Sequence, residues 1–195
     1  FIEMFELALA EQKMDEVVKR LEKLAEEQEA IVEELSKDED MTTLASRERR
    51  QEESFKTLEQ AMKDAANAME ALSPDASQQL SELAESELTE TTASDLNEAR
   101  TEMQNQNSSG ASESGGQASS GLNEMLEIAQ EIQSDFQEDT VDEMLRKFLA
   151  LIRNLLYISQ EQENLVKETE GLRSRSPKLI ETAVRQDKIL RENQQ

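Results

Sequence analysis

Residues 14–35 read MDEVVKRLEKLAEEQEAIVEEL, and one stripe of mainly apolar positions recurs there at alternating spacings of three and four. The stripe consists of Met14, Val17, Leu21, Leu24, Gln28, Ile31 and Leu35. A second stripe with the same spacing consists of Phe55, Leu58, Met62, Ala65, Met69 and Leu72. Such heptad spacing is typical of helices that pack against other helices. We therefore predict an all-α protein, an elongated antiparallel helical bundle with coiled-coil hairpins.

Residues 1–106 are predicted to form a heptad helical hairpin plus a weaker third helix. The first helix covers about residues 2–36. The second begins after a cap at Thr42 or Thr43, because the hydroxyl of either residue can accept a hydrogen bond from a backbone N–H. It ends near residue 72. The short link between two long stripes favours an antiparallel hairpin.

Gln28 occupies a core position of the first stripe. A polar side chain there weakens packing but can fix register or partner choice. The simpler interpretation, which we favour, is a partly exposed glutamine without a special role. Substitution by leucine distinguishes these alternatives, because a change of oligomeric state would indicate partner selection.

Ser73 and Pro74 predict the start of the third helix, since serine caps well and proline at the first helical position sacrifices no hydrogen bond. Its apolar stripe is sparse. We expect a break or frayed turn near residues 89–94, with Ser94 as a candidate cap for the part that follows.

Residues 107–120 contain small polar residues and three of the chain's five glycines. They have no large apolar anchor, and this composition is typical of linkers. We predict a Ser/Gly-rich linker, either flexible or an ordered crossover connection.

Residues 121–195 are predicted to be an apolar helical segment that packs with the first part. Thr140 and Glu143 have capping-box spacing. The helix that follows is apolar on more than one face, from Met144 to Ile158, so we expect it to lie centrally among several neighbours. Gly171 is suited to close this helix, and a last helix follows the Ser176-Pro177 start signal. It carries Leu179, Ile180, Val184, Ile189 and Leu190.

Composition restricts the chemistry open to this chain. It has 44 acidic and 21 basic residues, a formal net charge of −23, and no Cys or His. Disulfides, thiolate nucleophiles and His-based acid–base or di-iron sites are thereby excluded. The acidic surface is expected to repel nucleic acid and anionic membranes. The sequence contains no apolar run of the roughly 20 residues that a membrane span requires.

No residue pattern points to an active site. The acidic turn at residues 38–40 lacks the glycine and the oxygen spacing of a calcium loop. Adjacent carboxylates such as Glu26 and Glu27 are read as solvated surface, because general acid–base catalysis needs a sheltered site. The methionines of the stripes are read as core: Met14, Met62, Met69, Met125 and Met144. We assign no catalytic, cofactor-binding or metal-binding residue, expect no cofactor, and expect no enzymatic activity.

The stretch NLLYISQEQENLVKET, residues 154–169, continues through SPKL at 176–179 to AVRQD at 183–187. It resembles the pattern LLxLSxxQExLxxxT…SPxLxxxAxxQ of large uncharacterised bacterial proteins. Those proteins have N-terminal membrane helices and a long helical region rich in Gln and Glu. Ile158 stands where that pattern has Leu. The resemblance implies an extramembrane helical section of a membrane-anchored protein, and it transfers no activity and no site residue.

Two functions follow as hypotheses. The first is a structural or protein-interaction module of a larger bacterial protein, working through helix-mediated protein contacts or self-association, without nucleic acid and without inserting into the membrane. The alternative is an acidic binding module for a basic protein, or a nucleic-acid mimic. The chain starts without Met and ends inside a predicted helix, so we expect it to be a piece of a longer protein.

Overall fold

The computed structural model describes residues 2–37, 40–170 and 184, and its regular secondary structure in these ranges is entirely helical. The helices are α1 (Ile2–Leu35), α2 (Met41–Met69), α3 (Pro74–Ala84), α4 (Glu87–Gln104) and α5 (Ser108–Glu170). The all-α prediction is confirmed. The chain forms two compact units, Phe1–Thr140 and Val141–Gln195. The predicted closing residue Gly171 and the predicted last helix lie outside the described residues, apart from helical Val184.

The first unit is an antiparallel helical bundle. α1 and α2 form the predicted hairpin, because Arg20 bonds Thr57 at 3.2 Å while the later Gln28 bonds the earlier Glu48 at 3.0 Å. Residues 108–140 of α5 also run antiparallel to α1. Gln133 donates to Asp15 near the start of α1 at 2.7 Å, whereas Gly115 lies beside Val32 near its end.

The third rod of the bundle consists of α3 and α4 in succession. It runs antiparallel to α5, since Thr89 lies against Met125 while the later Thr92 lies against the earlier Gly121. The core side chains come from all four rods. Its largest fully buried members include Phe55, Phe136, Met14, Leu21, Leu58, Met62, Leu80 and Leu96. Each such side chain contributes about 1.5–3 kcal/mol relative to exposure, so this core holds the unit together.

The N-terminal cap of α2 differs from the sequence prediction, whereas the cap of α3 agrees with it. Asp40, rather than Thr42 or Thr43, caps α2, and its carboxylate accepts from both of their amides at 3.3 and 3.2 Å. A carboxylate at a helix N-terminus also interacts favourably with the helix dipole. The cap at Ser73 is confirmed, with its hydroxyl accepting from the Ala76 amide at 3.4 Å.

The break in the third rod lies earlier than predicted. α3 ends at Ala84 and Ser86 caps α4, accepting from the Thr89 amide at 3.2 Å. The expected break at residues 89–94 is therefore wrong. Thr89 and Thr92 are each 1% exposed inside α4, and their hydroxyls bond backbone carbonyls of residues 83 and 88. A threonine that returns its hydroxyl to the preceding turn is compatible with a buried helix.

The Ser/Gly-rich segment 107–120 is not a linker. From Ser108 onward it is the start of α5, and Ala111 and Ala118 are fully buried. Its small side chains allow close helix packing: a Cβ built on Gly115 comes within 3.2 Å of Val32. The absence of large apolar side chains, which led to the linker prediction, permits a short distance between helices here.

The predicted capping box at Thr140 and Glu143 is also wrong, because α5 passes through this point as helix. The Thr140 hydroxyl donates to the Phe136 carbonyl at 2.9 Å instead. The position does, however, coincide with the boundary between the two compact units.

The second unit is described from Val141 to Glu170 and at Val184. Most of its large apolar side chains between residues 141 and 157 are exposed, whereas Leu165 is buried; the exposed ones are Val141, Met144, Leu145, Phe148, Leu149, Leu151, Leu155, Leu156 and Tyr157. The expectation that this helix is buried among several neighbours is not met, and Met144 is not core. An apolar pattern identifies a face that can be covered, but it does not identify what covers it.

Candidate functional sites: a buried polar layer and an exposed apolar face

A polar layer interrupts the core of the bundle. It separates a large apolar cluster from a smaller one that contains Ile31, Leu44 and Met103. Gln28 of α1 and Glu48 of α2 are both 0% exposed, and the Gln28 amide donates to a Glu48 carboxyl oxygen at 3.0 Å. The layer therefore joins the two helices of the hairpin at one point in their length.

Charged and polar groups surround this pair. Gln51 donates to the Leu24 carbonyl at 2.9 Å, which adds a second polar link between α1 and α2. Glu52 of α2 pairs with Arg100 of α4, and both side chains are largely buried. Truncating one partner of such a pair is costly because the other charge stays buried. These bonds make the middle of the bundle specific in register.

The Gln28–Glu48 pair is incompletely satisfied. Gln28 Oε1 and Glu48 Oε2 are buried and have no hydrogen-bond partner among the described residues. Burial raises the pKa of Glu48 to about 8, and Glu52 adds to this, while the bond from Gln28 and the charges of Arg100 and Arg47 oppose it. Glu48 is therefore mainly protonated at neutral pH, which avoids burying an uncompensated carboxylate charge.

The sequence contained a signal for this pair that our reading missed. Gln28 was recognised as a core position, but the preferred interpretation of partial exposure is wrong. Glu48 and Gln51 continue the second stripe back from Phe55 at spacings of four and three, as far as Leu44. Because acidic residues are rarely buried unless paired, a glutamate in this register predicts a polar core layer.

The second candidate site is the apolar face of the second unit, which we define as the exposed large side chains between Val141 and Tyr157. Phe148 is 59% and Leu156 is 65% exposed. Contiguous exposed apolar surface is a mark of interaction sites on soluble proteins. This face is therefore the strongest indication of a binding surface in the described residues.

The bundle surface carries open grooves between its helices. One, of about 480 Å³, lies between α1 and α2 and is lined by Arg20, Lys23, Leu24, Glu27, Arg47, Arg50, Gln51, Ser54 and Thr57. Much of its positive charge is already compensated. Arg20 pairs with Glu16 at 2.5 Å, and Arg47 pairs with Glu27 at 2.9 Å and also with Glu34.

Two further findings concern the residues that the structure describes. They contain no group of three or more acidic side chains arranged to hold a metal ion. None of their helices has an apolar stretch sufficient to span a lipid bilayer. Of the acidic turn at residues 38–40, only Asp40 is described, where it caps α2.

No protein-family model, curated protein or solved structure matches this chain.

Proposed function

We propose that this chain is a structural or protein-interaction helical module of a larger, membrane-anchored bacterial protein. It works through helix-mediated contacts and not as an enzyme. The observation that carries the proposal is the exposed apolar face between Val141 and Tyr157. Exposing such a face to water is unfavourable, so a partner that covers it gains the hydrophobic free energy of burial.

The bundle supports this role as a scaffold. Its buried polar side chains at the centre bond one another or the backbone, as Gln28 does to Glu48 and Gln51 does to Leu24. Glu48, whose pKa is strongly perturbed, is 0% exposed and out of reach of a substrate. General acid–base catalysis requires contact with the reacting group. A role in register and stability suits this residue better.

The membrane-anchored parent rests on the resemblance of residues 154–187 to the Gln- and Glu-rich region described above. The resemblance supports only the cellular location of the parent protein and says nothing about its activity. The apolar face lies partly within the same stretch, so the same residues carry both the resemblance and the surface.

The alternative, an acidic module that captures a basic partner or mimics nucleic acid, has less support. It draws on the net charge of −23. A mimic needs its carboxylates on one face, whereas many surface acids here alternate with bases in pairs one helical turn apart. Examples are Asp15–Lys19 at 3.4 Å and Glu33–Lys37 at 2.7 Å.

Site-specific photo-crosslinking tests the proposal. A benzophenone amino acid replaces Leu156 on the apolar face and, as a matched control, exposed Lys56 on the bundle. In cells that make the protein, we expect discrete crosslinked products from position 156 and none from position 56. Equal crosslinking from both positions, or none from position 156, overturns the proposal. Crosslinks from position 56 that vanish at moderate salt favour the acidic module instead.

A further inference from the structure

The apolar face differs in charge from the rest of the chain. Residues 144–160 contain Arg146, Lys147 and Arg153 and no acidic residue, in a chain that has 44 acids and only 21 bases. A stretch of 17 residues without one acid departs strongly from this composition. The charge surrounding the face is thus opposite in sign to the charge of the whole chain.

The three cations border the apolar face on both sides. Lys147 lies three residues after Met144 and four before Leu151, and residues at these spacings are neighbours on a helix surface. Arg153 borders the other edge, four residues after Leu149 and three before Leu156, and Arg146 lies on that edge as well. The face therefore has a positive margin along each edge, and it covers about half of the helix circumference, so one packed helix reaches only one margin.

Few acids of the same helix neutralise this margin. Arg146 and Lys147 both approach Glu143, at 4.0 and 3.7 Å. Arg153 has no ion pair among the described residues. Exposed intrahelical pairs of this kind contribute only a few tenths of a kcal/mol, so a better-placed acidic partner can displace them.

We propose that the partner of this face is an acidic amphipathic helix. Its apolar stripe covers Leu145, Leu149, Ile152 and Leu156, whose spacings of four, three and four suit a packed helix, and Phe148 and Leu155 lie along one flank of these residues. Glutamates or aspartates of the partner pair with Arg146 and Arg153, which lie seven residues apart along the other flank, as flanking charges select partners in coiled coils. The inference deepens the proposed function and rests on it, because it names the chemistry of the partner.

The observations favour this occupant over three others. Two copies of the face brought together place cations beside cations, which is unfavourable. Residues 177–195 of the same chain have no surplus of acid, with four basic and three acidic residues. An anionic bilayer attracts the positive margin but repels a chain of net charge −23.

Two synthetic helical peptides of about four heptads test the partner chemistry with the full chain. Both carry leucine at the two core positions of each heptad, and their flanking positions are glutamate in one and lysine in the other. We expect the glutamate peptide to bind roughly tenfold or more tightly than the lysine peptide, and the preference to shrink with added salt. Fluorescence anisotropy with labelled peptide measures both affinities.

Three variants separate charge from apolar contact. The triple variant R146E/K147E/R153E is expected to reverse the preference of the two peptides. The double variant F148S/L155S is expected to lose binding to both peptides. The matched control R49E/R50E changes exposed cations on the bundle and should leave both affinities within about twofold, because charges beyond the contact are screened. Circular dichroism verifies that each variant keeps its helix content.

Several outcomes contradict the inference. Equal affinity for the two peptides does so, as does binding of the wild type only to phosphatidylglycerol vesicles. If light scattering gives twice the mass of one chain and F148S/L155S abolishes this, the occupant of the face is a second copy. If position 156 crosslinks to residues 177–195 of the same chain, the occupant is that segment. If F148S/L155S loses both peptides but charge reversal changes nothing, only this inference fails. If F148S/L155S changes no affinity, the proposed function fails as well.

Discussion

Two apolar stretches of α5 have the same pattern and opposite environments. Residues 122–136 and residues 144–158 both repeat apolar positions at spacings of three and four. Phe136 in the first is 0% exposed, whereas Phe148 in the second is 59% exposed. The pattern alone does not separate a core helix from a binding surface, because it describes only the helix and not its neighbours.

Charge does separate the two stretches. Residues 122–139 carry six acids and no base, and residues 144–160 carry three bases and no acid. An apolar stripe flanked by acids already packs against other helices inside the bundle. This is the chemistry proposed for the partner of the exposed face, so local charge is more informative here than the net value of −23.

The largest expected contrast comes from removing the two phenylalanines. Phe136→Ala should lower the free energy of unfolding of the bundle by about 3–5 kcal/mol, since it leaves a cavity in a packed core. Phe148→Ala should change it by less than about 0.5 kcal/mol, as for an ordinary surface substitution. Urea denaturation followed by circular dichroism measures both. Similar losses in the two variants would mean that residue 148 is buried in solution.

The polar layer predicts a pH dependence that the exposed face lacks. In the folded bundle the pKa of Glu48 is raised to about 8 from an ordinary value of 4.5. Between these values the folded state binds more protons than the unfolded state. Stability should therefore fall as pH rises through this window, by at most about 1.4 kcal/mol per pH unit from this group. Below about pH 4.5, Glu48 is protonated in both the folded and the unfolded state, so it makes no contribution to the change of stability with pH.

Glu48→Gln tests this directly, because glutamine is neutral at every pH and can still bond Gln28. We expect the variant to gain stability over the wild type steadily from pH 5 to pH 8. Glu22→Gln makes the same chemical change at an exposed position of α1 and should follow the wild type. Parallel stability curves for Glu48→Gln and the wild type would show that residue 48 is ionised, or hydrated, throughout.

Two glycines of the Ser/Gly-rich segment and its continuation test close packing. A Cβ on Gly121 meets the Thr92 side chain, including its own Cβ at 3.2 Å, so Gly121→Ala should cost about 1–3 kcal/mol. A Cβ on Gly116 meets no atom within 4 Å, so Gly116→Ala should stabilise the helix by about 0.5–1 kcal/mol. Thermal denaturation compares them. Stabilisation by both would indicate that α4 and α5 are further apart than described.

The smallest expected effect concerns Glu143, the carboxylate that Arg146 and Lys147 both approach. Glu143→Gln should change stability by no more than about 0.5 kcal/mol, since its pairs are exposed. It should strengthen binding of the glutamate peptide by roughly twofold, because the competing intrahelical acid is removed. Weaker binding in this variant would mean that Glu143 helps to hold the cations in place.

Errors in the sequence-based prediction share a cause. Residues 107–120 were read as a linker because they lack large side chains, although Ala111, Ala118 and Leu122 keep the heptad spacing of a packed helix. Residues 89–94 were predicted to form a break because polar residues interrupt the sparse apolar stripe there, yet the hydroxyls of Thr89 and Thr92 bond the backbone carbonyls of residues 83 and 88. Propensity is a weak guide wherever neighbouring helices supply contacts.

The candidate sites were predictable to different degrees. The apolar pattern and the cations of residues 144–160 are visible in the sequence, but their exposure is not. Gln28 was identified as a core position, whereas its bond to Glu48 required knowing which residue of α2 lies opposite. Register between helices depends on many side-chain contacts at once, and no single segment encodes it.

By itself, the sequence determined the helical class, the hairpin of α1 and α2, and the cap at Ser73. These depend on spacing and on short-range hydrogen bonds, which act within a few residues. Only the tertiary structure decided that Glu48 is buried, that the Ser/Gly-rich segment is helix, and that Phe136 is covered while Phe148 is exposed. Burial depends on residues distant in the chain. The pattern of an amphipathic helix shows which side chains can be buried, and the packing of other helices against it determines whether they are.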